Sequence, residues 1–185
     1  MGKIGKTGKK ITKITPLILA AALGRNQALK FILTNPTLDL STVEQTTGAN
    51  AFWFAAFFGR GRCLKLLAEA GANILSKHRD SGANALHVAV ERKHLKVVEM
   101  LIESGYPLYS TIRGGLTALI LSVRSIDEIS VRICRKLIEG GVDVNKITDE
   151  GDSALSLAIL NDNKRVVEML IKVQADLMYQ EESLV

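Results

Sequence analysis

The chain is 185 residues long, 47% apolar and 23% charged, with 24 basic and 19 acidic residues. These proportions are globular, and no uninterrupted apolar run exceeds the eight residues from Pro16 to Leu23, far short of the roughly 20 that a membrane span needs. Two cysteines, Cys63 and Cys134, fall in the apolar register of helical segments, which fits core packing in a reducing, cytoplasmic or nuclear location. The charge is unevenly spread. Lys3, Lys6, Lys9, Lys10 and Lys13 come with no acid among them, residues 14–79 hold seven basic and three acidic residues, and residues 80–185 hold 12 basic and 16 acidic.

In chain order, residues 1–13 mix Gly with Lys and have little to bury, which predicts an arm with no fold of its own. Thr15 followed by Pro16 predicts the cap and first turn of a helix that Gly24 closes, and a second helix follows from Gln27 to Leu33. The same plan then recurs. Helix starts align at Thr15, Asn50, Asn84, Thr117 and Ser153, each a good N-cap residue, with spacings of 35, 34, 33 and 36. The clearest copy is Asp80 to Leu108. There Ala85 to Arg92 forms one helical pattern, and Val97, Val98, Leu101 and Ile102 recur at i, i+1, i+4 and i+5 in the next, which Gly105 ends. The fourth copy has three extra residues near Ser125 to Ser130, expected to lengthen the turn between its helices. In the last copy Val166, Val167, Met169, Leu170 and Ile171 read like an interior second helix, so this stripe is covered by the preceding copy alone or meets a partner.

These units resemble ankyrin repeats, whose TPLHxA signature stands here as TPLILA, NAFWFA, NALHVA, TALILS and SALSLA. The family's G-x-D-V-N ending stands as Gly141-Val142-Asp143-Val144-Asn145, with weaker forms at Gly71-Ala72-Asn73 and Ala175-Asp176-Leu177. The resemblance implies an all-α ankyrin-repeat solenoid of stacked helix-turn-helix units with short hairpin-like loops. It divides the chain into a basic arm (1–13), one domain over 14–180 with five repeats (about 11–45, 46–79, 80–112, 113–148 and 149–180), and a tail (181–185). Only His87 keeps the signature His, which in the family ties neighbouring repeats by hydrogen bonds. Ile18, Trp53, Ile120 and Ser156 replace it, so stacking is expected to rest more on apolar packing.

No combination of nucleophile, base and orienting group can be read from the sequence, and His78, His87, His94 and the cysteines follow no zinc spacing. No catalytic site, metal, cofactor or small-molecule substrate is therefore expected. Leu137 with Asp143-Val144-Asn145 is similar to the target of the asparaginyl hydroxylase that modifies ankyrin repeats, though the same residues are the family's turn. Glu182 to Val185 resembles a class I PDZ ligand.

The resemblance implies binding of another protein on the concave face and the loop tips. Carried over by position, the free ends of the first helices are Ala22-Leu23, Phe57-Phe58, Glu91-Arg92, Arg124-Ser125 and Leu160-Asn161. The tips contribute Lys77, His78, Arg79, Tyr109 and Arg113, and Trp53 joins the candidates as a departure from the family pattern. Phe52, Trp53, Phe54, Phe57 and Phe58 are five of the nine aromatic residues, within seven positions; Phe52 and Phe54 are expected in the core or in packing between repeats, and Phe57 and Phe58, with Ala22 and Leu23 beside them, in an exposed apolar patch. The expected function is that of an adaptor or scaffold. The alternatives are an inhibitor capping an enzyme, or attachment to an acidic surface or polymer through the five lysines of the arm.

Overall fold

In the computed structural model, the structure describes residues 14–182, with side chains to Gln174. The lysine arm and the PDZ-like terminus from Ser183 onward lie outside the described residues. Ten helices are described. They are α1 (Pro16–Leu23), α2 (Asn26–Leu33), α3 (Ala51–Phe57), α4 (Gly61–Glu69), α5 (Ala85–Glu91), α6 (Leu95–Glu103), α7 (Ala118–Val123), α8 (Glu128–Glu139), α9 (Ala154–Leu160) and α10 (Lys164–Glu182).

Every first helix of a pair starts at the residue expected. The side chains of Thr15, Asn50, Asn84, Thr117 and Ser153 accept hydrogen bonds from the backbone N–H of Ile18, Trp53, Leu86 and His87, Ile120 and Ser156 respectively. Each cap satisfies donors that a helix start leaves orphaned. The first helices α1, α3, α5, α7 and α9 then pack in an inner row, and α2, α4, α6, α8 and α10 in an outer row. The core lies between the rows, where Leu29, Leu67, Leu101, Leu137 and Leu170 are fully buried.

Two ladders of polar contacts run along the stack besides the apolar core. At the loop tips, the backbone N–H groups of Arg79, Arg113 and Asp149 donate to the carbonyls of Thr47, Ser81 and Gly114 at 2.7, 3.1 and 3.0 Å. The third tip is a short antiparallel hairpin of β1 (Thr111–Ile112) and β2 (Leu116–Thr117), and single bridges close Val43 to Asn50 and Ile147 to Ser153. Gly115 turns this hairpin at φ +71°, and a Cβ there would sit 2.9 Å from the backbone N of Asp149, so the tips approach closely. Behind the inner row, Arg60, His94 and Asn161 donate to the carbonyls of Ala22, Phe57 and Val123 at 3.1, 3.0 and 3.1 Å. Each side chain reaches back to the C-terminal end of the preceding first helix.

The extra residues of the fourth unit lengthen the helix more than the turn. α8 has 12 residues where α2, α4 and α6 have eight or nine. Asp127 caps it, accepting from the Ser130 N–H at 3.0 Å, and Lys93 of the preceding unit donates to the same carboxylate at 2.6 Å. Lys93, then Ser125, hold the Asp127 carboxyl well below the usual carboxylate range. A negative charge at a helix N-terminus is favoured, which is why an added turn starts here.

A second correction concerns the C-terminal end. The expected turn at Ala175-Asp176-Leu177 does not form, because α10 runs unbroken from Lys164 to Glu182. No Gly or Pro interrupts that stretch, so nothing in it stops a helix.

Candidate functional site

The concave side is formed by the exposed residues of the inner helices, edged by the tips. α1 presents Leu19 and Leu23, 48% and 51% exposed, and the α3 C-cap residue Phe58 is 42% exposed. Leu19 and Leu23, like Phe54 and Phe58, are four apart and therefore lie on one helix side. The rings of Phe54 and Phe58 are offset-parallel at 6.5 Å, and Phe57 meets Phe58 edge-on at 4.9 Å. Phe57 is half-buried because it lies between two neighbours. Trp53 stacks on it at 5.1 Å and 17°, and the Arg92 guanidinium lies 4.1 Å from its ring centroid.

Trp53 is corrected from contact residue to core. It is 4% exposed, and its indole N–H donates to the Ala83 carbonyl at 2.8 Å. It therefore acts much as His87 does one unit later. The His87 ring nitrogens lie 2.6 Å from Asn84 Oδ1 and 3.0 Å from the Ser110 carbonyl oxygen. Burial pushes the His87 pKa down to about 4, so the ring is neutral at pH 7 with one N–H to share between them. Of the four residues that replace the signature His, Trp53 thus keeps a side-chain hydrogen bond to the next unit, while Ile18 and Ile120 have none to offer and Ser156 bonds within its own unit.

The other candidates divide by location. Ala22 is half-buried at the edge of the patch, while Glu91, Arg92 and Arg124 are exposed along the inner row. Lys77, Arg79 and Arg113 are exposed at the tips, and Arg79 also donates to the Gln45 carbonyl at 2.8 Å, which links two tips. His78 is half-buried, 5.7 Å from Trp53 between centroids, and its Nδ1 accepts from the backbone N–H of Asp80 at 3.3 Å. It shapes its tip. Tyr109 is exposed and makes no ring contact with the aromatic cluster among the described residues.

Sequence reasoning missed Leu19 as a contact candidate, and its placing of Phe54 in packing agrees with a side chain partly buried against the core. The i, i+4 spacing with Leu23 was the available signal for Leu19. It also missed Glu44, a buried carboxylate that organises the first tip through Thr46 and Thr47. No group of three or more His, Cys, Asp or Glu able to hold a metal occurs among the described residues. Burial raises both thiols, Cys134 to about 11, and so disfavours the reactive thiolate. A cleft of about 790 Å³ between α2 and α4 lies on the outer row and is lined by Arg25, Lys30, Arg62 and Lys65 with one acid, Glu69.

Stacked helix pairs that share one core and leave one continuous side free define a helical-repeat solenoid, a class that works by presenting surface. A family model for ankyrin repeats, in three copies, matches residues 17–112. The chain belongs to the ankyrin-repeat family, whose members are generally protein-interaction domains without enzymatic activity. It is 30% identical over 141 residues to the mouse nuclear factor NF-kappa-B p105 subunit, covering 75% of this chain and 14% of that protein. It is 32% identical over 135 residues to human neurogenic locus notch homolog protein 2, covering 72% and 5%. Over 101 residues it is 29% identical to the human inhibitor of Bruton tyrosine kinase, covering 55% and 8%. The chain thus spans a small part of the length of these relatives. No helix of the described residues is long and apolar enough to cross a membrane.

Proposed function

We propose that this chain is a non-catalytic binding module, an adaptor or scaffold of the cytoplasm or nucleus, that holds another protein on its concave side and loop tips. The observation that supports this most is the apolar patch of Leu19, Leu23 and Phe58, left exposed where the inner helices have no partner of their own. Apolar side chains gathered in one place are the usual anchors of an interface, and neighbouring contacts serve mainly to exclude water. One relative is by its name an inhibitor of a kinase, so an inhibitor that caps an enzyme is the nearest variant of this reading.

The test is a Leu23→Ser, Phe58→Ser double variant, cross-linked in native cell extract beside the wild type. Recovery of the specific partner should fall more than tenfold while circular dichroism and melting stay unchanged, since both side chains are surface residues. Undiminished recovery would sink the reading. A second reading, attachment to an acidic surface through Lys3, Lys6, Lys9, Lys10 and Lys13, is favoured by charge: residues 14–79 beside the arm are also basic on balance. Deleting residues 1–13 abolishes binding under this second reading and leaves it largely intact under the first.

A further inference from the structure

Resting on the binding reading above, we propose that the occupant of the concave side is an acidic segment with apolar anchors at one end. The exposed side changes character along the stack. The first two units present Leu19, Leu23 and Phe58, whereas the third presents Arg92 beside Glu91 and the fourth Arg124. The flanking tips add Lys77, Arg79 and Arg113, with Asp80 the one acid in the two tip segments 77–81 and 109–113. Five cations thus face two carboxylates along this wall, and none of the five is in an ion pair among the described residues.

Arg92 joins the apolar and basic stretches directly. Its guanidinium carbon lies over the Phe57 ring, 4.1 Å from the centroid. Its guanidinium N–H groups make no hydrogen bond among the described residues and remain for a carboxylate fork. Past Arg124 the polarity reverses, because the hollow that Arg124 lines is closed by Glu150 and Asp152. An acidic segment is attracted as far as the fourth unit and repelled at the fifth, which fixes its direction as well as its sign.

Spacing follows from helix packing. Neighbouring inner helices lie about 10 Å apart, so Arg92 and Arg124 are about 10 and 20 Å beyond Phe58. At about 3.3 Å per residue of extended chain, carboxylates belong about three and six residues beyond the last apolar anchor.

The probe is a fluorescein-labelled peptide, Leu-Phe-Gly-Ser-Glu-Gly-Ser-Glu, titrated by anisotropy up to millimolar full-length protein, beside a control with Lys in place of both Glu. The wild type should bind the Glu peptide at least tenfold better than the Lys peptide, more weakly as salt rises. An Arg92→Glu, Arg124→Glu double variant should lose about tenfold or more for the Glu peptide and gain for the Lys peptide. An Arg92→Gln, Arg124→Gln variant should lose part of the affinity, which covers any misfolding caused by charge reversal. Equal affinity for both peptides, binding of neither, or indifference to these variants would overturn the proposal. A native partner that is lost on replacing Leu23 and Phe58 but unaffected by charge reversal would leave the adaptor reading standing and remove the acidic segment alone.

Discussion

Replacing Trp53 with Ala is expected to lower the stability of the folded chain by about 4 kcal/mol, the range for removing a large buried aromatic. The side chain is almost wholly buried, so its loss leaves a cavity between the second and third units. It also removes the donor to the Ala83 carbonyl, the hydrogen bond that ties the second unit to the tip of the third. Phe57 would lose the ring stacked on its inner side, so the patch beside it should loosen as well. Trp53→Phe keeps part of the packing but loses the second ring of the indole together with its N–H, so a smaller loss of about 2–3 kcal/mol is expected. Urea unfolding followed by circular dichroism separates the two variants. If Trp53→Ala stays within 1 kcal/mol of the wild type, the indole does not join the units.

The caps, the period and the family were legible because each depends on local chemistry. A Ser, Thr or Asn three residues before a helical N–H accepts its hydrogen bond whatever the rest of the chain does. Trp53 was misplaced because a pattern along the chain distinguishes the two sides of a helix poorly when nearly every residue from Ala51 to Phe58 is apolar. Which aromatic faces the next unit is decided by what it can bond there, and the indole N–H reaches a carbonyl that no sequence pattern displays. The three added residues of the fourth unit could extend a turn or a helix with the same count, and Asp127 as a cap decided for the helix. α10 continued where the family turns because Gln174 stands where the second, third and fourth copies have Gly71, Gly105 and Gly141. The acidic-segment inference depends on Arg92 lying over Phe57, a contact between residues 35 positions apart that only the stacking of units brings about.

The first loop tip should depend on pH through Glu44. Burial pushes this carboxyl up, but the backbone N–H groups of Thr46 and Thr47 and the Thr47 hydroxyl donate to it at 2.7 to 2.9 Å. Together these outweigh burial and bring its pKa from 4.5 down to about 2. A folded-state pKa below the unfolded one means that the contribution is complete above about pH 4.5 and is lost as pH falls through about 2. The size is about 2–3 kcal/mol, close to the cost of removing hydrogen bonds to a buried charge. Asp39 and Asp127 are also held low, so total acid stability mixes several groups, and the difference between wild type and Glu44→Gln isolates this one. That difference should be about 2–3 kcal/mol at pH 7 and shrink towards zero near pH 2. Because each unit leans only on its neighbours, the first loss should be local. Amide exchange at Thr46, Thr47 and Gly48 should rise in Glu44→Gln at pH 7, while amides of α8 keep their protection. Arg79 bonds to the Thr47 and Gln45 carbonyls of this same tip, so loosening it should spread next to the second tip and its two cations. A pH-independent difference between the two proteins would mean that Glu44 acts through shape and not through charge.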